Sequence, residues 1–193
     1  MTVSIFVEGS DDKRFIEDLF ECLDPINNIG EITVIEGYTN LYHYENTIEL
    51  TNDLGGKNYI IFDADQNKSG KIFEIKRIEN KLSCSMDYYF LPNNDGPGDL
   101  EDLLIQIINS KHQIIIDCFD NYQDCLNNVE KGYTIPSKKA LVYAYCEAIL
   151  EKKSKKKNGR YRDYFDKELW NIESVALNPL KDFLKKILEF NRL

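Results

Sequence analysis

A chain of 193 residues, 42% hydrophobic and 30% charged, has the apolar material for one cored domain, with at most a helical extension. It contains no apolar run of about 18 residues, so no membrane-spanning helix is predicted, and its first residues read as a strand rather than a secretory signal. A net charge of −9 argues against a sequence-blind nucleic-acid coat; five scattered cysteines in no CxxC pair and only two histidines argue against a zinc site and for reduced thiols in a cytoplasmic protein.

The first strand is expected over residues 3–7, an apolar run ending at Glu8-Gly9. A helix follows, with Ser10 as its N-cap; Phe15, Ile16, Leu19, Phe20 and Leu23 form its apolar face, and Asp24-Pro25 stop it. Residues 31–36 read as a second strand, broken by Gly37. Residues 40–54 read as a helix that Gly55-Gly56 ends. The run 59–62 is nearly all apolar, which suits a strand covered on both faces. Ile72, Phe73, Ile75, Ile78 and Leu82 have helical spacing. Residues 88–91 make a fourth strand ended by Pro92, and a helix runs from Asp99 to about Asn109. This β-α alternation predicts an α/β fold with a mostly parallel sheet of about four strands flanked by helices.

Beyond residue 111 only helices are predicted, over 117–129, 138–150 and 180–190, so the chain divides into residues 1–110 and a helical subdomain, 111–193, packed on them. Tyr133, Tyr143, Tyr145 and Trp170 are expected in the core or an interface. Residues 152–162 read as an exposed loop holding seven cations and no anion.

Two acidic clusters stand at strand ends: Glu8 with Asp12 four residues on, and Asp63-Ala64-Asp65. In an open parallel sheet, sites form beyond the carboxyl ends of strands. On a strand, residues two apart face the same side, so Asp63 and Asp65 point at one cation, or at one on each side if the chain turns between them. Carboxylates at this density repel one another and stay ionised at neutral pH when a cation intervenes. Oxygen ligands suit Mg²⁺, with Mn²⁺ as a substitute, and such sites polarise phosphodiesters and activate water.

Glu8-Gly9 after the first strand, Asp12, Asp63-x-Asp65 after the third and Leu100-Glu101 on a later helix resemble a Toprim domain over roughly residues 1–110. That fold is shared by topoisomerases, bacterial primases, small RNA-maturation nucleases and the overcoming-lysogenization-defect nucleases, and the acidic set is most similar to the last group. Overall, the chain resembles small stand-alone Toprim-related proteins of unassigned function. The resemblance implies a Mg²⁺-dependent nuclease or related phosphodiester-transfer enzyme. Its catalytic residues would be Glu8, Asp63 and Asp65, and its metal ligands Glu8, Asp12, Asp63, Asp65 and Glu101. The chain shows no topoisomerase nucleophile domain and no primase zinc module, and residues 66–71 differ from the corresponding segment of the RNA maturases. Nor does an ATPase domain precede the Toprim-like part, so an ATPase would be a separate partner gating the nuclease, as in a defence system. A non-catalytic binding module on the same fold is the other alternative.

DNA or RNA is the expected substrate. Lys13, Lys155, Lys156, Lys157, Arg160 and Arg162 are the candidate backbone contacts, with Tyr161 and Tyr164 near enough in sequence to stack on bases. Each feature has a plainer reading beside this one. Glu8 and Asp12 are acids at a helix N-terminus, where the macrodipole favours them, and Asp11 stands next to Asp12. Asp63 and Asp65 are residue types common in turns, and Glu101 is an ordinary helix acid. Asp99 reads as an N-cap. Lys13 and Arg14 fit the solvent face of the first helix, and the lysine run fits a solvated loop.

Overall fold

A computed structural model describes residues 2–26, 29, 31–149, 164 and 166–192. The chain alternates as expected: β1 (Val3–Val7), α1 (Ser10–Leu23), β2 (Ile32–Val34), a 3₁₀ helix (Tyr38–Tyr44) running into α2 (Glu45–Asp53), β3 (Lys57–Asp63), α3 (Lys68–Leu82), β4 (Met86–Leu91) and α4 (Leu100–Gln106). After these come α5 (Gln113–Asn127), α6 (Lys138–Ile149) and α7 (Asn178–Asn191). No described helix is long and apolar enough to cross a membrane. The five cysteines are free thiols.

Two compact units are present. The first comprises residues 1–100 and 175–193, the second residues 101–174. The C-terminal helix α7 thus groups with the sheet, whereas the sequence pattern grouped it with the helices before it.

In the first unit the four strands pair in the order β2-β1-β3-β4, all parallel. Side chains alternate between the two faces. One face carries Phe6, Ile60, Phe62 and Phe90, which pack with Ile48 of α2, Ile75 and Ile78 of α3, and Leu41. The opposite face carries Tyr59 and Tyr89, both in ring contact with Phe183 of α7, and α7 also packs beside α1. Arg192 at the end of α7 pairs with Asp24 at the end of α1. Helices on both faces explain why β1, β3 and β4 read as near-continuous apolar runs. In the second unit, Tyr145 and Trp170 are buried against each other, whereas Tyr133 and Tyr143, expected in the core or an interface, are exposed.

Several boundaries differ from the sequence reading. The N-cap of α1 is Gly9, not Ser10, because the Asp12 carboxylate reaches back to the Gly9 amide. The second strand is shorter than 31–36: Ile35 donates to Val7, but Glu36 takes a left-handed conformation that ends the ladder. The helix expected over 40–54 has a 3₁₀ first half. The fifth helix begins at Gln113, four residues before the expected start, on the run of isoleucines. The segment 150–163, which includes the whole basic run expected as an exposed loop, lies outside the described residues.

Gly56 leads into β3 through a tight passage. A Cβ there would stand 2.3 Å from the Thr2 carbonyl oxygen and 2.9 Å from that of Thr51. Both obstacles are backbone, and Lys57 next door donates to the same Thr2 carbonyl. Gly56→Ala is therefore expected to destabilise the protein by about 1–3 kcal/mol, read as a lower denaturation midpoint. An unchanged midpoint would mean that the entry to β3 adjusts freely.

Candidate functional site

The chain leaves β1 for β2 on one side and later places β3 on the other side of β1. That reversal opens a crevice beyond the carboxyl ends of β1 and β3, where open α/β sheets bind ligands. Val7 pairs with Ile61, so Glu8 and Asp63 follow within one residue of the same level at the ends of adjacent strands. The two acidic clusters therefore meet at the topological switch point.

Each acid is positioned by its own local device. Asp12 is buried in the first turn of α1, and its Oδ2 accepts from the Gly9 amide at 2.8 Å. A side chain at residue 9 would come within 3.2 Å of that carboxylate oxygen, so glycine keeps the turn open. Of the two neighbouring aspartates, Asp12 belongs to the cluster, whereas Asp11 pairs with Arg14 at 3.5 Å. Asp63 closes β3, and its Oδ1 accepts from the Leu100 amide at 2.9 Å.

Beyond Asp63 the chain turns. Asp65 adopts a left-handed conformation (φ 46°), which aspartate tolerates better than most residues, and its amide donates to the Gly98 carbonyl at 2.7 Å. The chain therefore turns between Asp63 and Asp65, and the two carboxylates meet different partners: the Leu100 amide and the Lys71 ammonium.

At the centre is Lys71, in the first turn of α3 and only 1% exposed. Its Nζ donates to the Asp65 carboxylate at 2.7 Å, to the Asp63 backbone carbonyl at 2.8 Å and to the Glu8 carboxylate. Three acceptors match the three protons of an ammonium. The same Nζ lies 5.3 Å from the centre of the Tyr38 ring. Lys68, one turn earlier, donates to the carbonyls of Asn94 (2.7 Å) and Asp95 (3.0 Å) and ties α3 to the loop after β4.

Sequence reasoning missed Lys71. Local spacing carried a signal, since residues 71, 75, 78 and 82 share one helical face, and Ile75 and Ile78 are buried on it. Phe73, assigned to that face from the sequence, is 67% exposed.

Four carboxylates against one ammonium leave the crevice short of positive charge. The Asp63 carboxyl is pushed up to about 8, first by burial and then by the charges of Asp12, Glu8 and Asp65, with Lys71 opposing. Burial also raises the Glu8 carboxyl, and outweighs the hydrogen bond and charge of Lys71. For Lys71, burial pulls the ammonium down, but its hydrogen bonds to Asp65 and Glu8 prevail and the net direction is up.

Residues 2–189 match the family described as protein of unknown function, DUF3226. The chain belongs to that family. No curated protein and no solved structure matches it.

In this DUF3226 protein the remaining sequence-predicted site residues stand on other elements. Glu101 lies in the first turn of α4, next to Leu100, and belongs to the second unit. Lys13 pairs with Glu17 at 3.8 Å along α1. Lys155, Lys156, Lys157, Arg160 and Arg162 lie outside the described residues.

The DUF3226 crevice matches a hard divalent cation in donor chemistry, since every acid in it offers oxygen. It does not present a ready coordination set: among the described residues no three Asp, Glu, His or Cys side chains are disposed to hold one ion. Lys71 stands where the acids of β1 and β3 converge.

A pH effect follows from Asp63. Its folded-state pKa lies above the unfolded value, so the folded protein holds this proton more tightly. The corresponding stability is full below about pH 4, the ordinary aspartate value, and is lost as pH rises through about 8. Glu8 acts in the same direction. With EDTA present, the melting temperature is expected to fall from about pH 5 to about pH 8, and Asp63→Asn, which keeps the acceptor for Leu100, is expected to flatten that slope. Parallel slopes for the two proteins would show that Asp63 titrates at an ordinary pH.

Proposed function

We propose that this crevice is the cation site of a Toprim-like, Mg²⁺-dependent nuclease or related phosphodiester-transfer enzyme. The observation that carries the reading is the convergence of Glu8, Asp12, Asp63 and Asp65 at the switch point of a parallel sheet, with Asp63 destabilised as a bare anion. Asp63, Asp65 and Glu8 would hold the cation, with Asp12 as a further ligand. Once bound, Mg²⁺ would supply Lewis-acid polarisation of the phosphodiester and a more acidic water.

The chain's own residues do the rest. Glu8, raised by burial, is poised to take a proton from water at a carboxylate oxygen. Asp12 holds the Gly9 amide and fixes where Glu8 leaves β1. Asp63 holds the Leu100 amide, so its carboxylate is fixed at the end of β3. The cationic residues Lys155, Lys156, Lys157, Arg160 and Arg162, with Lys13, would track the nucleic-acid backbone, which predicts affinity that falls steeply with salt.

A second reading draws on Lys71. With its ammonium closing the acids, the protein would be a non-catalytic binding module, or a nuclease held at rest until a separate ATPase partner opens it. The test is cleavage of mixed DNA and RNA in Mg²⁺ or Mn²⁺, with EDTA as control. Cation-dependent cleavage supports the nuclease. Cation binding without cleavage supports the gated or binding form, and absence of both removes the metal reading.

A further inference from the structure

Lys71 is the one side chain in the crevice whose chemistry opposes the proposed role. It is a cation, buried, with all three of its protons placed on acceptors. Two of those acceptors, Glu8 and Asp65, are proposed metal ligands. A divalent cation entering between them would stand within a few ångströms of the ammonium, and like charges at that range in a partly buried site repel strongly. Both cannot keep the same carboxylates.

We infer that Lys71 is the built-in occupant of the cation site, and that a divalent ion binds by displacing its ammonium from Glu8 and Asp65. The inference rests on the reading of the crevice as a cation site. Three features make displacement feasible. Lysine carries its charge on four methylenes with several rotatable bonds, so the head can leave while the stem stays packed. The Asp65 carboxylate is 53% exposed, so one wall of the cage already faces solvent. Tyr38 offers its ring to the same ammonium at 5.3 Å, a contact that does not depend on the carboxylates.

Displacement has a functional consequence. A freed ammonium at the mouth of the crevice would lie beside the phosphate that the metal is to polarise. Lys71 would then exchange two carboxylates for a phosphodiester oxygen. Each would thus favour the entry of the other, and the metal alone would bind against the competition of the ammonium. The resident ammonium would also let the acids fold without metal.

The test uses the full chain and Mn²⁺ as the probe. Calorimetric titration is run on wild type and on Lys71→Met, which keeps the length of the stem and removes the charge. Mn²⁺ is expected to bind Lys71→Met about tenfold or more tighter, because the competing charge is gone. Equal or weaker binding by the variant, with clear binding by wild type, would overturn the inference and leave the cation site standing. Binding by neither would overturn both. Should Lys71→Met fail to fold, wild type alone decides. Acylation of Lys71 by an amine reagent, read by mass spectrometry, is expected to be slow without Mn²⁺ and to rise severalfold once Mn²⁺ and inorganic phosphate are added. Bound Mn²⁺ with Lys71 still protected would mean that the ion sits elsewhere.

Discussion

Exchanging Asp65 for Asn is expected to lower divalent-dependent cleavage about 10²–10³-fold while leaving the melting temperature nearly unchanged. The two effects separate because of where the residue sits. Its side chain is 53% exposed, and its backbone makes the Asp65–Gly98 bridge whatever the side chain carries. Asparagine also tolerates the left-handed conformation found at this position. What the substitution removes is one charge at the crevice, and with it one proposed ligand; the asparagine oxygen still accepts from Lys71, and Glu8 still pairs the ammonium. Asp63→Asn makes the complementary case. It keeps the acceptor for the Leu100 amide but removes the buried charge that the other acids disfavour, so activity should fall while metal-free stability at pH 8 rises. Activity that survives both substitutions would place the chemistry elsewhere.

The largest effect on stability is expected at Phe62. It stands on β3, one of the two inner strands, and is 1% exposed within the cluster of Phe6, Ile60, Ile75 and Phe90. Phe62→Ala removes a ring that neighbouring side chains cannot replace, at a cost of about 3–5 kcal/mol. Against a total of about 5–15 kcal/mol for a domain, that is a large share. The melting temperature should fall by on the order of 10 °C. The matched control is Phe73→Ala on α3, where the ring is 67% exposed and the change should stay within about 0.5 kcal/mol. Equal losses at the two positions would contradict the layered arrangement of α3 on the sheet.

That pair also marks how far the fold was legible in the sequence. Strands β1, β3 and β4 could be read because burial on both faces demands unbroken apolar runs. The α/β alternation followed from turn residues and helical spacing between them. Phe73 was misplaced because apolar character alone does not say which face of a helix meets the sheet. Lys71 was passed over for the converse reason. Its burial depends on Glu8, 63 residues earlier, and on the turn at Asp65, and neither acts on the local pattern of α3.

The candidate site divides in the same way. Glu8, Asp12, Asp63 and Asp65 were legible as strand-end and helix-start acids, and parallel pairing brings the ends of β1 and β3 together. The choice of Asp12 over Asp11 required the hydrogen bond to the Gly9 amide. The separation of Asp63 from Asp65 required a left-handed residue that a simple strand period does not foresee. The cationic segment, which lies outside the described residues, was legible through composition alone, and the proposed role predicts salt-dependent affinity.

The claim that the crevice at the switch point is a cation site is tested most directly by titrating Mn²⁺ calorimetrically into wild type and Asp63→Asn/Asp65→Asn. Saturable binding to wild type is expected, and it should disappear in the double variant while both proteins remain folded. Binding that is unchanged in the double variant, or absent from wild type with Lys71 present and from Lys71→Met alike, would contradict it.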